Sequence, residues 1–219
     1  MILAAGRGER LRPLTETLPK PLVEAGGETL LDGHLRRLAA AGFSEAVINV
    51  SHLADRIVER FGSGAHGVSI AWSREPEPLE TAGGIAQARA LLGAAPFLLV
   101  NADIWCEFDF SGWRDFQLRE RLAHLVLVAN PPWHPGGDFT LERGVVGNAP
   151  APRYTYAGIS VLSPALLDGI AAGQKAQLAP LWRAAAERGA VSGELYRGYW
   201  NDVGTPQRLA ELRSRLDKR

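Results

Sequence analysis

The chain has 219 residues, 46% of them hydrophobic and 22% charged, which excludes a disordered or collagen-like chain. Its 24 Lys and Arg balance its 24 Asp and Glu, so the formal net charge is zero. That balance removes the general electrostatic case for nucleic acid or an anionic membrane as partner, and leaves room for one local phosphate site. The single cysteine, Cys106, can form neither an internal disulfide nor a zinc cluster. No apolar run is long enough to span a bilayer, and the start Met1-Ile2-Leu3-Ala4-Ala5-Gly6 lacks the basic region and apolar core of a secretion signal. The expectation is one cytoplasmic domain that needs no metal or disulfide staple.

Residues 1–5 read as a strand running into a Gly-rich turn. Residues 29–41 carry Leu30, Leu31, Leu35 and Leu38 at helical spacing, with Gly42 as the stop. A strand at 46–50, a helix at 53–61, a strand at 68–72, a helix at 81–92 and a buried strand at 97–100 follow. This β-α-β rhythm predicts an α/β fold, a doubly wound and mostly parallel sheet with helices on both faces. Ligands of such sheets bind beyond the carboxyl ends of the strands. Two segments stand there: 6–21 after the first strand and Asn101-Ala102-Asp103 after the fourth.

The second half is less regular. Strands are expected at 122–129 and 154–162, a Gly- and Pro-rich loop or hairpin insertion at 130–151, and helices opening at Ser163-Pro164, at 176–188 and at 206–216. There is no internal repeat and no low-complexity tract.

The chemistry concentrates in the first turn. Gly6 and Gly8 let backbone N–H groups approach an anion, Arg7, Arg10 and Arg12 add charge, and Lys20 is pinned between Pro19 and Pro21. A surface turn with scattered basic residues is the plain reading of the glycines alone. A dinucleotide-binding turn needs a third glycine where Leu11 stands and an unbroken helix where Pro13 stands, and no Gly-Lys-Ser/Thr follows for a Walker A loop.

The run from Leu3 to Pro21 resembles the signature of the sugar-phosphate nucleotidyltransferases, L-A-A-G-x-G-x-R-L-x-P-L-T followed by P-K-P. Four later segments resemble that family in the right order: Glu80-Thr81-Ala82-Gly83-Gly84, Asn101-Ala102-Asp103, Tyr156-Ala157-Gly158-Ile159 and Trp200-Asn201-Asp202-Val203-Gly204-Thr205-Pro206. Within the family, the segment 49–53, the loop with Asn130 and Asp138, and the segment 191–194 are similar to the short bacterial N-acetylmuramic acid 1-phosphate uridylyltransferases of peptidoglycan recycling. Mannose- and heptose-1-phosphate guanylyltransferases share much of the pattern. A silent nucleotide- or sugar-binding relative is a third reading, against which the joint presence of Arg10, Lys20, Asp103 and Asp202 stands.

The resemblance implies a nucleotide-binding half at 1–121 and a sugar-phosphate-binding half at 122–219, within a single domain. It implies Mg²⁺ held by Asp103 and Asp202, with Arg10 and Lys20 on the triphosphate and Gly6 and Gly8 as backbone donors. The base is expected against Leu3, Ala4, Ala5, Gly83 and Asn101, with Glu80 or Glu75 accepting from a ring N–H. The sugar is expected against Asn130, Asp138, Arg153, Gly158, Trp200 and Asn201. Relatives carry Glu-Lys-Pro before the sugar-site strand; here the stretch 148–153 has no lysine, and Arg153 is expected to replace it or to meet a substrate carboxylate. His52 and Cys106 are expected to be structural. Because the chain ends soon after the late motif, a monomer or weak dimer is expected.

Overall fold

The computed structural model describes residues 1–150 and 152–218; Ala151 of the expected insertion and Arg219 lie outside them. The first half runs β1 (Ile2–Leu3), α1 (Leu14–Thr17), β2 (Glu24–Ala25), β3 (Glu28–Thr29), α2 (Leu30–Ala40), β4 (Glu45–Val50), α3 (Ala54–Phe61), β5 (Gly64–Ala65), β6 (Val68–Arg74), α4 (Glu80–Gln87), α5 (Arg89–Leu92) and β7 (Phe97–Asn101). The second runs β8 (Ile104–Cys106), β9 (Ala123–Val128), β10 (Thr140–Glu142), β11 (Val145–Gly147), β12 (Thr155–Leu162), α6 (Leu178–Glu187), β13 (Val191–Leu195), β14 (Trp200–Asp202) and α7 (Pro206–Leu216). Among the described residues no helix is long and apolar enough to cross a membrane.

One ten-stranded sheet unites both halves in the order β10-β11-β13-β9-β12-β7-β1-β4-β6-β5. The strands β6, β4, β1 and β7 are parallel neighbours, and β9 and β13 run the same way beyond the reversed β12. The chain leaves β1 toward β4 and β6 on one side and returns to β7 on the other. The strand order therefore reverses between β1 and β7, which opens a crevice at their carboxyl ends.

Strand alternation covers both faces. Ile2, Leu98, Val100, Val126 and Ile159 pack with Leu31, Leu35 and Leu38 of α2 and Ile57 and Phe61 of α3. Leu99, Leu125 and Leu127 pack on the other face with Ile85 of α4 and Trp182 and Ala185 of α6. That two-sided burial is why the strands read as apolar runs rather than as alternating ones. Helix α2 starts where the Thr29 side chain accepts from Asp32 N, at 3.1 Å, and stops at Gly42, whose φ of +86° suits a residue without Cβ.

Four details depart from the sequence reading. The helix expected over 81–92 is two, α4 and α5, because Leu91 N and Leu92 N turn back to Ala88 O. Ser163-Pro164 opens a single 3₁₀ turn, Pro164–Leu167. The insertion contains the hairpin β10–β11, one of the two forms expected of it, whereas β13 is a strand that the composition of Val-Ser-Gly-Glu-Leu hid. The short pair β8–β14 was not foreseen at all. Three residues show no periodicity, and only the fold brings these two segments together.

Candidate active site

The carboxyl ends of β1, β4 and β6 are tied by a buried chain of hydrogen bonds. Ala4 N donates to Asn49 Oδ1 at 2.9 Å, Asn49 Nδ2 donates to Glu75 Oε1 at 2.6 Å, and Leu79 N donates to Glu75 Oε2 at 3.0 Å. The chain pins the first turn to the start of α4. Gly84 makes room for it, since a Cβ there would lie 2.5 Å from Glu75 Oε1 and 2.8 Å from Asn49 Nδ2. At the lip, Glu80 is exposed and adopts a φ of 61°, a left-handed conformation uncommon outside glycine.

The first turn then curls back on itself. Gly8 has a φ of +64°, and its carbonyl accepts from Thr15 Oγ1 at 2.8 Å. A Cβ on Gly6 would meet nothing within 4 Å, so its backbone lies open. His52 Nε2 lies 3.2 Å from Thr15 O and holds the far side of the turn, the structural role expected of it. Lys20 is buried, and its Nζ donates to Asp103 Oδ2 at 2.6 Å. Burial alone would raise the Asp103 carboxyl, but the Lys20 ammonium and Arg10 hold it below the usual carboxylate range. Asp103 is therefore ionised at neutral pH.

The β8–β14 pair delivers the second carboxylate. Ile104 is in register with Asp202, and Val203 N donates to Asp103 O at 2.9 Å. A small core of Leu11, Val23, Trp105, Val203, Leu209 and Leu212 packs this pair and α7 against the first turn. Asp202 Oδ2 accepts from Arg208 Nη1 at 2.8 Å, while Asp202 Oδ1 is buried with no hydrogen-bond partner. An orphaned anionic oxygen beside a second ionised carboxylate fits a hard divalent cation. Among the described residues no third His, Cys, Asp or Glu joins them. A cation held here would keep positions for phosphate oxygens and water, which suits Mg²⁺.

Lys20 and Asp103 border a cleft of about 780 Å³, and Asp202 lies behind Gly204 at its edge. Leu3, Ala4, Ala5, Gly6, Gly8, Arg10, Lys20, Glu80, Asn101 and Asp103 all line it, with Gly204 at the Asp202 end. Gly83 does not: its N–H donates to Ala176 O at 3.0 Å, and a Cβ there would collide with Gln174 O. It is glycine so that α4 can pack against the 171–176 segment, not so that a base can approach. Glu75 borders the cleft, but both of its oxygens are engaged; Glu80 lines the cleft as well, as do Glu9 and Glu77. Lys175 also lines the cleft and was missed. Only the backbone pairing of Ala176 with α4 puts this lone lysine of a polar loop there.

The residues expected to meet the sugar mostly build its loop. Asn130 Nδ2 donates to Pro135 O and Arg153 O, at 3.0 and 3.1 Å. Asp138 accepts from Tyr156 N at 2.8 Å and lies 3.0 Å from His134 Nε2. Arg153 donates to Ala149 O and Asn148 O, at 2.9 and 3.0 Å, so its guanidinium closes the loop that contains it. A loop with little apolar filling satisfies its backbone with such side chains. Gly158, at φ +79°, sits in a bulge of β12, where a Cβ would lie 2.9 Å from Ile104 Cγ2 and 3.1 Å from Asn101. Trp200 Nε1 donates to Ala157 O at 2.7 Å and ties β14 to that bulge. Asn201 is buried, with Nδ2 3.4 Å from the Tyr199 hydroxyl. Cys106 is fully buried, and burial pushes its thiol up, as befits a structural residue.

The doubly wound sheet, the open glycine turn over its switch point, and Lys20 and Asp103 in the cleft below it form a site suited to a phosphorylated ligand. The nucleotidyl transferase family model matches residues 1–139, and the chain belongs to that family. It is 47% identical to the N-acetylmuramate alpha-1-phosphate uridylyltransferase of Neisseria meningitidis serogroup B, over 98% of this chain and 96% of that protein. It is 32% identical to the mannose-1-phosphate guanyltransferase of Yarrowia lipolytica, over 94% of this chain and 61% of that longer protein. Its fold is similar to a Bacillus anthracis structure described as a glucose-1-phosphate thymidylyltransferase, with a TM-score of 0.86 at 18% identity, covering 98% of this chain and 93% of the other.

Proposed function

We propose that the chain transfers the uridylyl group of UTP to N-acetylmuramic acid 1-phosphate, releasing pyrophosphate and forming UDP-N-acetylmuramic acid. The observation that carries this reading is the convergence of Gly6, Gly8, Arg10, Lys20 and Asp103 on one cleft, with Asp202 behind its Gly204 edge. The choice of base and sugar rests on the 47% identity to the Neisseria uridylyltransferase, against 32% to the Yarrowia guanyltransferase.

The attacking sugar phosphate is already mostly dianionic near neutral pH, because its second pKa is about 6. No general base is needed, and the protein's task is placement and charge neutralisation. The open Gly6 backbone and the Arg10 guanidinium receive the triphosphate. Lys20 presents a fixed ammonium to the charge that develops on the transferring and leaving groups. Asp103 and Asp202 would hold Mg²⁺, which when bound polarises the phosphoryl oxygens as a Lewis acid. Glu80 at the lip accepts from uracil N3–H, as a carboxylate must. Asn130, Asp138 and Arg153 act by shaping the sugar loop.

The domain works as one unit with a nucleotide-binding half at 1–121 and a sugar-phosphate-binding half at 122–219. The working unit is a monomer or weak dimer. The nucleotide sugar formed serves peptidoglycan recycling in the cytoplasm, a reducing compartment that suits a buried free thiol.

Pyrophosphate release with Mg²⁺ tests the reading, crossing UTP, GTP, dTTP and CTP against muramic, glucosamine, glucose, mannose and heptose 1-phosphates. Turnover confined to UTP and N-acetylmuramic acid 1-phosphate is expected. Turnover confined to GTP with a mannose- or heptose-type phosphate would overturn the substrate assignment and keep the mechanism. No turnover with any pair would overturn both.

A further inference from the structure

We infer that Arg208 is a positioning residue that holds Asp202 by one oxygen and leaves the other, Oδ1, turned toward the cation of the cleft; the inference rests on the Mg²⁺ reading above. The guanidinium is fixed on every side. Arg208 is 5% exposed. Its Nη1 donates to Asp202 Oδ2 at 2.8 Å, and its Nε donates to Thr205 Oγ1 at 3.3 Å. Its Cζ lies 4.6 Å from the centre of the Trp133 ring, which shields it with a cation–π contact. Trp133 belongs to the sugar loop, so that loop is seated on the same guanidinium that orients the carboxylate.

Gly204 completes the arrangement. A Cβ at this position would collide with Arg208 Nη2 and lie 2.6 Å from Asp202 Oδ1. The φ of Gly204 is not in the left-handed region. Its missing side chain is therefore a matter of space, and the space is that of the arginine and the orphaned oxygen. A buried carboxylate without a partner is costly and turns toward whatever donor it can reach. Arg208 satisfies the charge at Oδ2 and so fixes where Oδ1 points before a cation arrives.

Lysine keeps the charge of Arg208 but loses the planar fork, so Arg208→Lys tests orientation rather than electrostatics. Gly204→Ala disturbs the same pair from the cleft side, and it carries the test if the lysine variant does not fold. Binding of Mn²⁺, a hard divalent cation standing in for Mg²⁺, is followed by its paramagnetic resonance signal with UTP present and no sugar phosphate, so that no turnover intervenes. Both variants are expected to bind Mn²⁺ about tenfold or more weakly, with the UTP affinity of Arg208→Lys in chelator unchanged. A folded Arg208→Lys protein with wild-type Mn²⁺ affinity would overturn the inference and leave the proposed function standing. A wild-type protein that binds no Mn²⁺ would overturn the metal reading, and the inference with it.

Discussion

Lys20 and Asp103 are held by opposite means. Two flanking prolines and near-complete burial set the lysine, whereas a strand end and the lysine itself set the aspartate. Each compensates a charge that the partly dry cleft would otherwise penalise. The pair is also why neither residue is a loose surface group: about a third of the Asp103 side chain is exposed, against a tenth of Lys20. Replacing Lys20 with methionine removes the fixed ammonium and frees Asp103 to follow solvent. Losses of about a hundredfold or more in kcat are expected, the scale seen when one preorganised charge-stabilising donor is removed. Pyrophosphate release by the folded Lys20→Met variant measures it, and a mild effect would assign the phosphate contact to Arg10 or Lys175. The lysine itself was legible in the sequence because Pro-Lys-Pro is so specific. Lys175 was not, because nothing local distinguishes it.

Helix α4 shows glycines set by packing against neighbouring protein. Its first turn carries two glycines, which weaken a helix on propensity alone. Both are required by backbone neighbours: Gly83 by the 171–176 segment and Gly84 by Glu75 and Asn49. The resemblance placed Gly83 at the nucleotide; in the structure both glycines are packed against protein backbone and side chains. For Gly84→Ala, the Cβ must displace the Asn49–Glu75 hydrogen bond, a buried interaction whose loss costs about 1–3 kcal/mol. A lowered Tm is expected, together with a raised KM for the nucleotide, because the displaced chain ends on Ala4 N of the cleft floor. Thermal unfolding and initial rates check the two effects separately. The resemblance gives Asn130, Asp138 and Arg153 as sugar contacts, and in the structure each hydrogen-bonds the loop's own backbone or a neighbouring side chain. Motif resemblance locates such residues but does not say which way they face.

At the scale of the molecule, His34 ties stability to pH. It sits on α2 with no exposed surface, and burial followed by the nearby Arg37 lowers its pKa to about 3 from an ordinary 6.5. Between those values the unfolded chain takes up a proton that the folded chain refuses. Stability therefore rises with pH across that window and is lost as pH falls through it. The slope from this one group approaches about 1.4 kcal/mol per pH unit. Urea denaturation at pH 7 and pH 4.5 should show a loss for the native protein that His34→Gln reduces. Equal losses in both proteins would place the acid sensitivity elsewhere.

The sequence by itself determined the family, the alternating strands and helices of the first half, and the glycine turn that follows the first strand. Those features are local: apolar runs, caps and a glycine-proline pattern are set by residues adjacent in the chain. It also named Asp103 and Asp202, through the motifs around them. Only the tertiary structure decided how the two aspartates meet. The β8–β14 pair joins segments about a hundred residues apart in the chain, and the core of Leu11, Trp105, Val203 and Leu209 beneath it spans nearly the whole chain. Contacts across such separations leave no periodicity in the chain, because each is made by side chains whose neighbours are set by the fold and not by the sequence beside them.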